Sequence, residues 1–176
     1  LPNDEFEVEL RLIEPSDKVT GLSLGSEEFT PLKMFIQRKA KDYQVNSFAR
    51  TYGLFGPEAK LIGYITLICG EILTKTPQDV IPPEQIYDYK TFPSVKIARL
   101  AVDRRYQGKG LGDYLVSFAI GVVKDAIAPH VGCRFVVVDS KQSAVRFYER
   151  LGFTLLDTAT NRANEQPVMY LDILKA

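Results

Sequence analysis

The sequence predicts a mixed α/β domain, with helices lying over a central sheet. Three observations predict it. Short runs with strand character recur along the chain, at 6–13, 48–55, 60–68, 95–102 and 134–138. Between and after them, apolar residues recur at helical spacing. The order is strand, helix, a hairpin of strands, then strand–helix–strand–helix–strands, which is a helix-covered sheet rather than a bundle or sandwich.

Residues 6–13 (FEVELRLI) alternate as a first strand, and Pro15 to Gly25 carries turn residues. Ser26 reads as an N-cap, with Glu27 and Glu28 favouring the positive helix end. Pro31 suits a first-turn position, and Leu32, Phe35, Ile36 and Ala40 continue the helix to about Val45. Residues 48–55 and 60–68 flank the Gly56-Pro57 turn as a hairpin, the second strand continuing toward Leu73. The stretch from Thr74 to Pro93, rich in proline, is a long connection of the kind that often shapes a pocket, or else a mobile loop. After the strand at 95–102 come glycines and a helix whose stripe is Leu111, Leu115, Phe118, Ala119, Val122 and Ala126. Pro129 and Gly132 end it. Residues 134–138 (RFVVV) suit a buried parallel strand. Ser140 is expected to cap a second helix carrying Ala144, Phe147, Tyr148 and Leu151, which Gly152 ends. Residues 153–156 and 168–174 make a closing strand pair.

A chain of 176 residues, 45% hydrophobic and 25% charged, fits a single domain spanning 1–176 with a core of its own. Lysine plus arginine equals aspartate plus glutamate, 22 each. A neutral chain is not one dominated by nucleic-acid backbone binding, although a local basic patch remains open. Cys69 and Cys133 lie in apolar runs and read as buried thiols of a reducing compartment. With one histidine, His130, and no cysteine cluster, no metal site is expected. No run approaches the ~20 apolar residues of a membrane span. Leu1-Pro2-Asn3-Asp4-Glu5 lacks the basic head and apolar block of a signal peptide, and the missing initiator Met suggests processing or a late start. Cytoplasm is the expected location.

The chemistry concentrates at 103–112. A strand running into glycines and then a helix makes an anion site, because the first helical N–H groups are unpaired and carry partial positive charge. Gly108 and Gly110 keep Cβ atoms away from the backbone, and Gly112 allows close approach of helix to sheet. Lys96, Arg99, Arg104, Arg105 and Lys109 face one acid, Asp103. That local excess of cations in a neutral protein suits a ligand with several phosphates. The alternative is a tight turn with a surface charge run. Neither a P-loop nor a dinucleotide fingerprint fits the spacing.

The run IARLAVDRRYQGKGLGDYLV resembles motif A of the GCN5-related N-acetyltransferases (the GNAT family), whose Arg/Gln-x-x-Gly-x-Gly/Ala pattern is here Arg105-Tyr106-Gln107-Gly108-Lys109-Gly110. AVRFYERLGF, residues 144–153, resembles motif B. The resemblance implies acetyl-CoA as donor, with no metal. It implies that the pantetheine arm pairs with the backbone of Leu100, Ala101 and Val102. It implies diphosphate contacts from Gln107, Gly108, Lys109, Gly110, Leu111 and Gly112, with Arg104 and Arg105 nearby, and cofactor contacts at Phe147. Lys141 stands where the family often has an asparagine that touches CoA, so that contact departs from the pattern.

The resemblance also makes Tyr148 the residue that protonates the departing thiolate; the alternative is a core tyrosine. A tyrosine near ~10 and a thiol near ~8.5 make full transfer uphill by about 2 kcal/mol, so a hydrogen bond to the developing charge describes the role better. Strand 95–102 holds no Asp or Glu, hence no evident general base. At pH 7 a lysine amine is neutral about 0.04% of the time and an α-amine about 10–15%, so an α-amine is the easier acceptor.

Residues 21–55 and 136–153 are similar to acetyltransferase toxins of toxin–antitoxin pairs. That similarity implies aminoacyl-tRNA as acceptor and a ribbon-helix-helix antitoxin as partner, with Lys33, Arg38, Lys39 and Lys41 as a candidate basic face. A homodimer is a further candidate assembly. A housekeeping acetyltransferase of a small-molecule or protein amine, and a non-catalytic acyl-CoA-binding module, are the other two readings.

Overall fold

A computed structural model describes residues 7–176. The first residue of the expected opening strand, Phe6, and the five residues before it lie outside the described residues. Seven strands form one mixed sheet in the order β1-β2-β3-β4-β5-β7-β6. The chain divides into two compact units, one holding residues up to Ile68 with Ala98–Ala119, the other Cys69–Ile97 with Ile120–Ala176.

In the first unit, β1 (Glu9–Leu12) pairs antiparallel with β2 (Arg50–Phe55), Leu12 opposite Tyr52. β2 pairs antiparallel with β3 (Leu61–Leu73), with a bulge at Leu54/Phe55. The helix expected from Ser26 to Val45 forms in pieces: a 3-10 turn Glu27–Phe29, then α1 (Thr30–Arg38) and α2 (Ala40–Val45). Ser26 has the extended backbone of an N-cap, but its side chain makes no capping bond. Pro31 sits in the first turn of α1, where its missing N–H costs nothing. Lys39, at φ −124° and ψ −31°, breaks the helix in two and lets Ala40 become fully buried. Phe35 and Ile36 carry α1 onto a core with Ile13, Leu22, Phe55 and Tyr64. The Tyr64 hydroxyl donates to the Leu32 carbonyl at 2.7 Å, which fixes α1 against the strand.

In the second unit, β5 (Phe135–Asp139) pairs antiparallel with β7 (Val168–Asp172), and β7 with the short β6 (Thr154–Leu155). β4 (Thr91–Val102) starts four residues before the expected point and takes in Pro93; its Ser94–Ile97 segment pairs parallel with Phe135–Val138. The proline-rich connection is built rather than loose. Thr76 and Asp79 form a capping box around Pro77–Asp79, and Val80 and Ile81 are buried. Tyr87 stacks on Phe92 at 4.4 Å, and Phe92 meets Phe135 edge-on at 5.5 Å. Arg134 grips Asp172 through two bonds of 2.7 and 2.8 Å.

Three expectations are corrected. Cys69 is exposed and Cys133 half-buried, not buried thiols; both are free. Past Ile68 the β3 pleat alternates, turning Cys69, Glu71 and Leu73 outward while Ile72 turns in. Ser140 does not cap a helix. Its hydroxyl donates to the Lys141 carbonyl, and α4 (Val145–Arg150) begins later, after a 3-10 turn at Gln142–Ala144. The helix after the glycines, α3 (Leu111–Gly121), widens into a π turn at Val122–Ile127. The wider turn shifts the buried face by one residue, so Val123 is buried where Val122 was expected.

Candidate active site

β4 delivers Val102 to the start of the glycine loop. Asp103 N–H donates to the Ile62 carbonyl at 2.8 Å, holding the strand's end in place. Beyond it the chain makes a 3-10 turn, Arg104–Tyr106, and then Gly108 at φ +75° and Gly110 at φ +76° before α3. Two left-handed residues separated by one turn the intervening N–H groups toward one side, as in an anion-binding nest. A Cβ at Gly108 would meet nothing within 4 Å, so the backbone conformation, not crowding by protein atoms, calls for glycine there. The first bond of α3 runs from Tyr114 N–H to the Gly110 carbonyl. The N–H groups ahead of it belong to the first helical turn, which has no intrahelical acceptors for them.

Asp103 organises this loop. The residue is completely buried. Its carboxylate accepts from Ser23 N–H at 2.8 Å, Arg105 N–H at 3.0 Å, and the Arg105 side chain at 2.9 and 2.8 Å. Burial pushes the carboxyl up, but the Arg105 side chain and the two backbone N–H groups outweigh it and pull the pKa down to about 2. Arg104 N–H donates to the Ser23 carbonyl at 2.7 Å, a second tie to the same segment. Sequence reasoning counted Asp103 only as the lone acid among cations. The signal that could have found it is an N-cap residue type at the end of a strand, immediately before the Arg104–Tyr106 turn. Arg105, expected among the phosphate-facing cations, is committed to Asp103. Gln107 donates from its side chain to the Val102 carbonyl at 3.0 Å.

Leu100, Ala101 and Val102 lie on a stretch of β4 that β5 does not reach. The register that sets Ile97 beside Val138 runs out at Asp139, the last β5 residue. Arg99–Val102 therefore have no β5 residue opposite. Apart from the Val102 carbonyl, which takes the Gln107 side chain, this stretch of strand edge has no β5 partner and can accept an extended amide-bearing ligand as a strand. Thr91–Val102 contains no Asp or Glu, so the longer strand still supplies no general base.

Tyr148 stands in α4 of the second unit, 6% exposed, between Phe147 at 4.9 Å and Phe153 at 5.4 Å. Among the described residues its hydroxyl has no hydrogen-bond partner. Burial pushes that hydroxyl well above the usual tyrosine range. It is therefore a donor at neutral pH and a poor acid for complete transfer. Phe147 is half-buried beneath the Arg150 guanidinium. Lys141 precedes the 3-10 turn of Gln142–Ala144, and its carbonyl accepts from Ala144 N–H. Among the described residues no group of three His, Cys, Asp or Glu could hold a metal ion, and no helix is long and apolar enough to cross a membrane.

Residues 58–155, containing both the loop and Tyr148, match the acetyltransferase (GNAT) domain. The chain belongs to the GNAT family. It is an acyl-CoA-dependent N-acetyltransferase, with acetyl-CoA as its co-substrate. Among curated relatives, a tRNA-acetylating toxin of Mycobacterium tuberculosis (strain ATCC 25618 / H37Rv) is 27% identical over 152 residues, 84% of this chain and 85% of the relative. Among solved structures, AtaT complexed with acetyl-methionyl-tRNAfMet superposes with a TM-score of 0.78 at 27% identity, covering 96% of each chain. A tyrosine-to-phenylalanine variant of KacT gives 0.78 at 28% identity, again over 96% of each chain. AtaTR bound with acetyl-CoA gives 0.76 at 26%, over 96% of this chain and 95% of that one.

Proposed function

We propose that the whole chain acts as one acetyltransferase that moves an acetyl group from acetyl-CoA to the α-amine of an aminoacyl-tRNA, as a cytoplasmic toxin restrained by a protein antitoxin. The likeness to AtaT complexed with acetyl-methionyl-tRNAfMet, over 96% of both chains, carries this reading. The curated relative named for tRNA acetylation supports it independently. AtaT has also been solved with the C-terminus of its antitoxin AtaR, which supports the partner.

The chemistry agrees. The N–H groups around Gln107, Gly108, Lys109 and Gly110 take the diphosphate of the donor. The pantetheine amides pair with the open edge at Leu100 and Val102, which sets the thioester farther back along β4. The acceptor amine arrives neutral and attacks the thioester carbon; the carbon–sulfur bond breaks and the amine's proton leaves to solvent. The Tyr148 hydroxyl donates a hydrogen bond to the sulfur as charge develops there. An α-amine, with its low pKa, needs no strong base for this, in keeping with a β4 that carries no carboxylate.

The test is mass spectrometry of RNA-linked amino acids after incubating the enzyme with acetyl-CoA and charged tRNA. N-acetylated aminoacyl-tRNA is expected, together with arrested translation in a cell-free system. Unmodified charged tRNA, with acetyl-CoA consumed only by small amines, would show a housekeeping enzyme instead.

A further inference from the structure

We propose that Arg99 is a specificity residue that takes a backbone phosphate of the nucleic-acid acceptor, an inference that rests on the aminoacyl-tRNA reading above. The Arg99 guanidinium carbon lies over the Phe35 ring, 3.8 Å from its centroid. It is half-buried. Among the described residues it has no carboxylate partner and makes no hydrogen bond. The nearby Tyr64 hydroxyl donates its proton to the Leu32 carbonyl, and its oxygen takes no hydrogen bond from Arg99.

This sets Arg99 apart from two other ring-stacked arginines, Arg11 and Arg134. Arg11 lies over Phe55 at 4.2 Å, and Asp17 takes two of its N–H groups. Arg134 lies near Phe135 at 5.6 Å, and Asp172 does the same. In those two places the fold supplies the counter-charge. At Arg99 it supplies only a ring face. A cation withdrawn from water without a partner is unfavourable, and a stack offsets this only in part. The stack does something else: it covers one side of the guanidinium with a ring and gives its N–H groups no acceptor, so the planar N–H fork keeps its bonding capacity for a ligand. A fork of that shape matches a phosphate, which it can hold through two bonds.

Its position fits an acceptor rather than the donor's diphosphate. Arg99 lies on the stretch of β4 beyond the reach of β5, three residues before Val102, or about 10 Å along the strand. The diphosphate loop follows Val102 on the other side. An acyl arm lying along that edge brings its thioester toward Arg99, where the incoming amine must also arrive. The phosphates nearest the aminoacyl end of a tRNA arrive with it.

The experiment measures acetylation of one aminoacyl-tRNA at several salt concentrations by wild type, Arg99→Met and Arg99→Lys, with acetyl-CoA affinity followed by calorimetry. Arg99→Met is expected to raise the KM for aminoacyl-tRNA about ten- to hundredfold. It should also flatten the slope of log(kcat/KM) against log[salt] by about 0.7–0.9, the loss of one phosphate contact. Acetyl-CoA affinity should stay within about threefold of wild type. Arg99→Lys keeps the charge without the planar fork, so its slope should match wild type while its KM lies between the two. Should Arg99→Met fail to fold, Arg99→Gln is read on the same slope. An unchanged slope overturns the inference, because a merely structural role would not depend on salt. A matching fall in acetyl-CoA affinity overturns it too, by giving Arg99 to the donor. If wild type acetylates no aminoacyl-tRNA, the functional reading itself fails and this inference falls with it; if wild type acetylates it and only the slope is unmoved, the reading stands without Arg99.

Discussion

The Arg105 guanidinium meets the Asp103 carboxylate edge to edge, Nε to Oδ1 at 2.9 Å and Nη2 to Oδ2 at 2.8 Å. The pair lies at the start of the glycine loop and holds its first turn in shape. Because the carboxyl is pulled down to about 2 from 3.8, the folded state prefers it ionised. The stability this provides is complete above about pH 4 and is lost as the pH falls from 4 to 2, about 2 kcal/mol in all. Asp103→Asn removes this acid sensitivity. Urea titrations of both proteins between pH 2 and 6 should show the wild-type advantage shrinking across that window. Parallel curves would contradict it.

Gly108 tests the loop differently. At φ +75° an alanine is strained by roughly 1–2 kcal/mol, although nothing crowds its Cβ. Gly108→Ala should keep the fold, lower the melting temperature by a few degrees, and weaken acetyl-CoA binding about tenfold as the N–H groups turn away. Calorimetry and thermal melts check both.

Tyr148→Phe removes a hydroxyl that has no partner among the described residues, from a side chain that is otherwise buried. Stability should change by less than about 1 kcal/mol, and acetyl-CoA affinity should hold, while kcat falls about a hundredfold or more. A stopped-flow measurement of thiol release separates the steps. An unchanged rate would leave Tyr148 as packing alone.

With no carboxylate on β4, the pH dependence of kcat/KM should follow the acceptor's own amine. It should rise through about 7.7–8.0 for an α-amine and show no separate limb near 6. A limb that persists when the acceptor's pKa is changed would reveal a protein base.

Several features on which the site proposal rests were legible from residue types at fixed spacing. Gly108 and Gly110 before a helix say "anion" without a structure, because only glycine enters the left-handed region at little cost. Tyr148 was legible only through its resemblance to motif B; its place in an apolar stripe spoke equally for core. What escaped depends on distant partners. Asp103 is defined by Ser23, eighty residues earlier, and Arg99 by the ring of Phe35. No local pattern encodes either. Cys69 was misread because its apolar run continues through a change in the β3 pleat, where alternation rather than composition decides which side is buried. Brief iodoacetamide labelling of the folded protein should accordingly modify Cys69 first. Cys133, half-buried with its thiol pushed up by burial, should lag until the protein is unfolded.

The grip of the glycine loop on the donor is the claim on which the rest stands. Isothermal titration with acetyl-CoA should give a single site in wild type, and in a Gly108→Val/Gly110→Val variant that still melts cooperatively the heat should disappear. Equal binding by the two proteins would contradict the account.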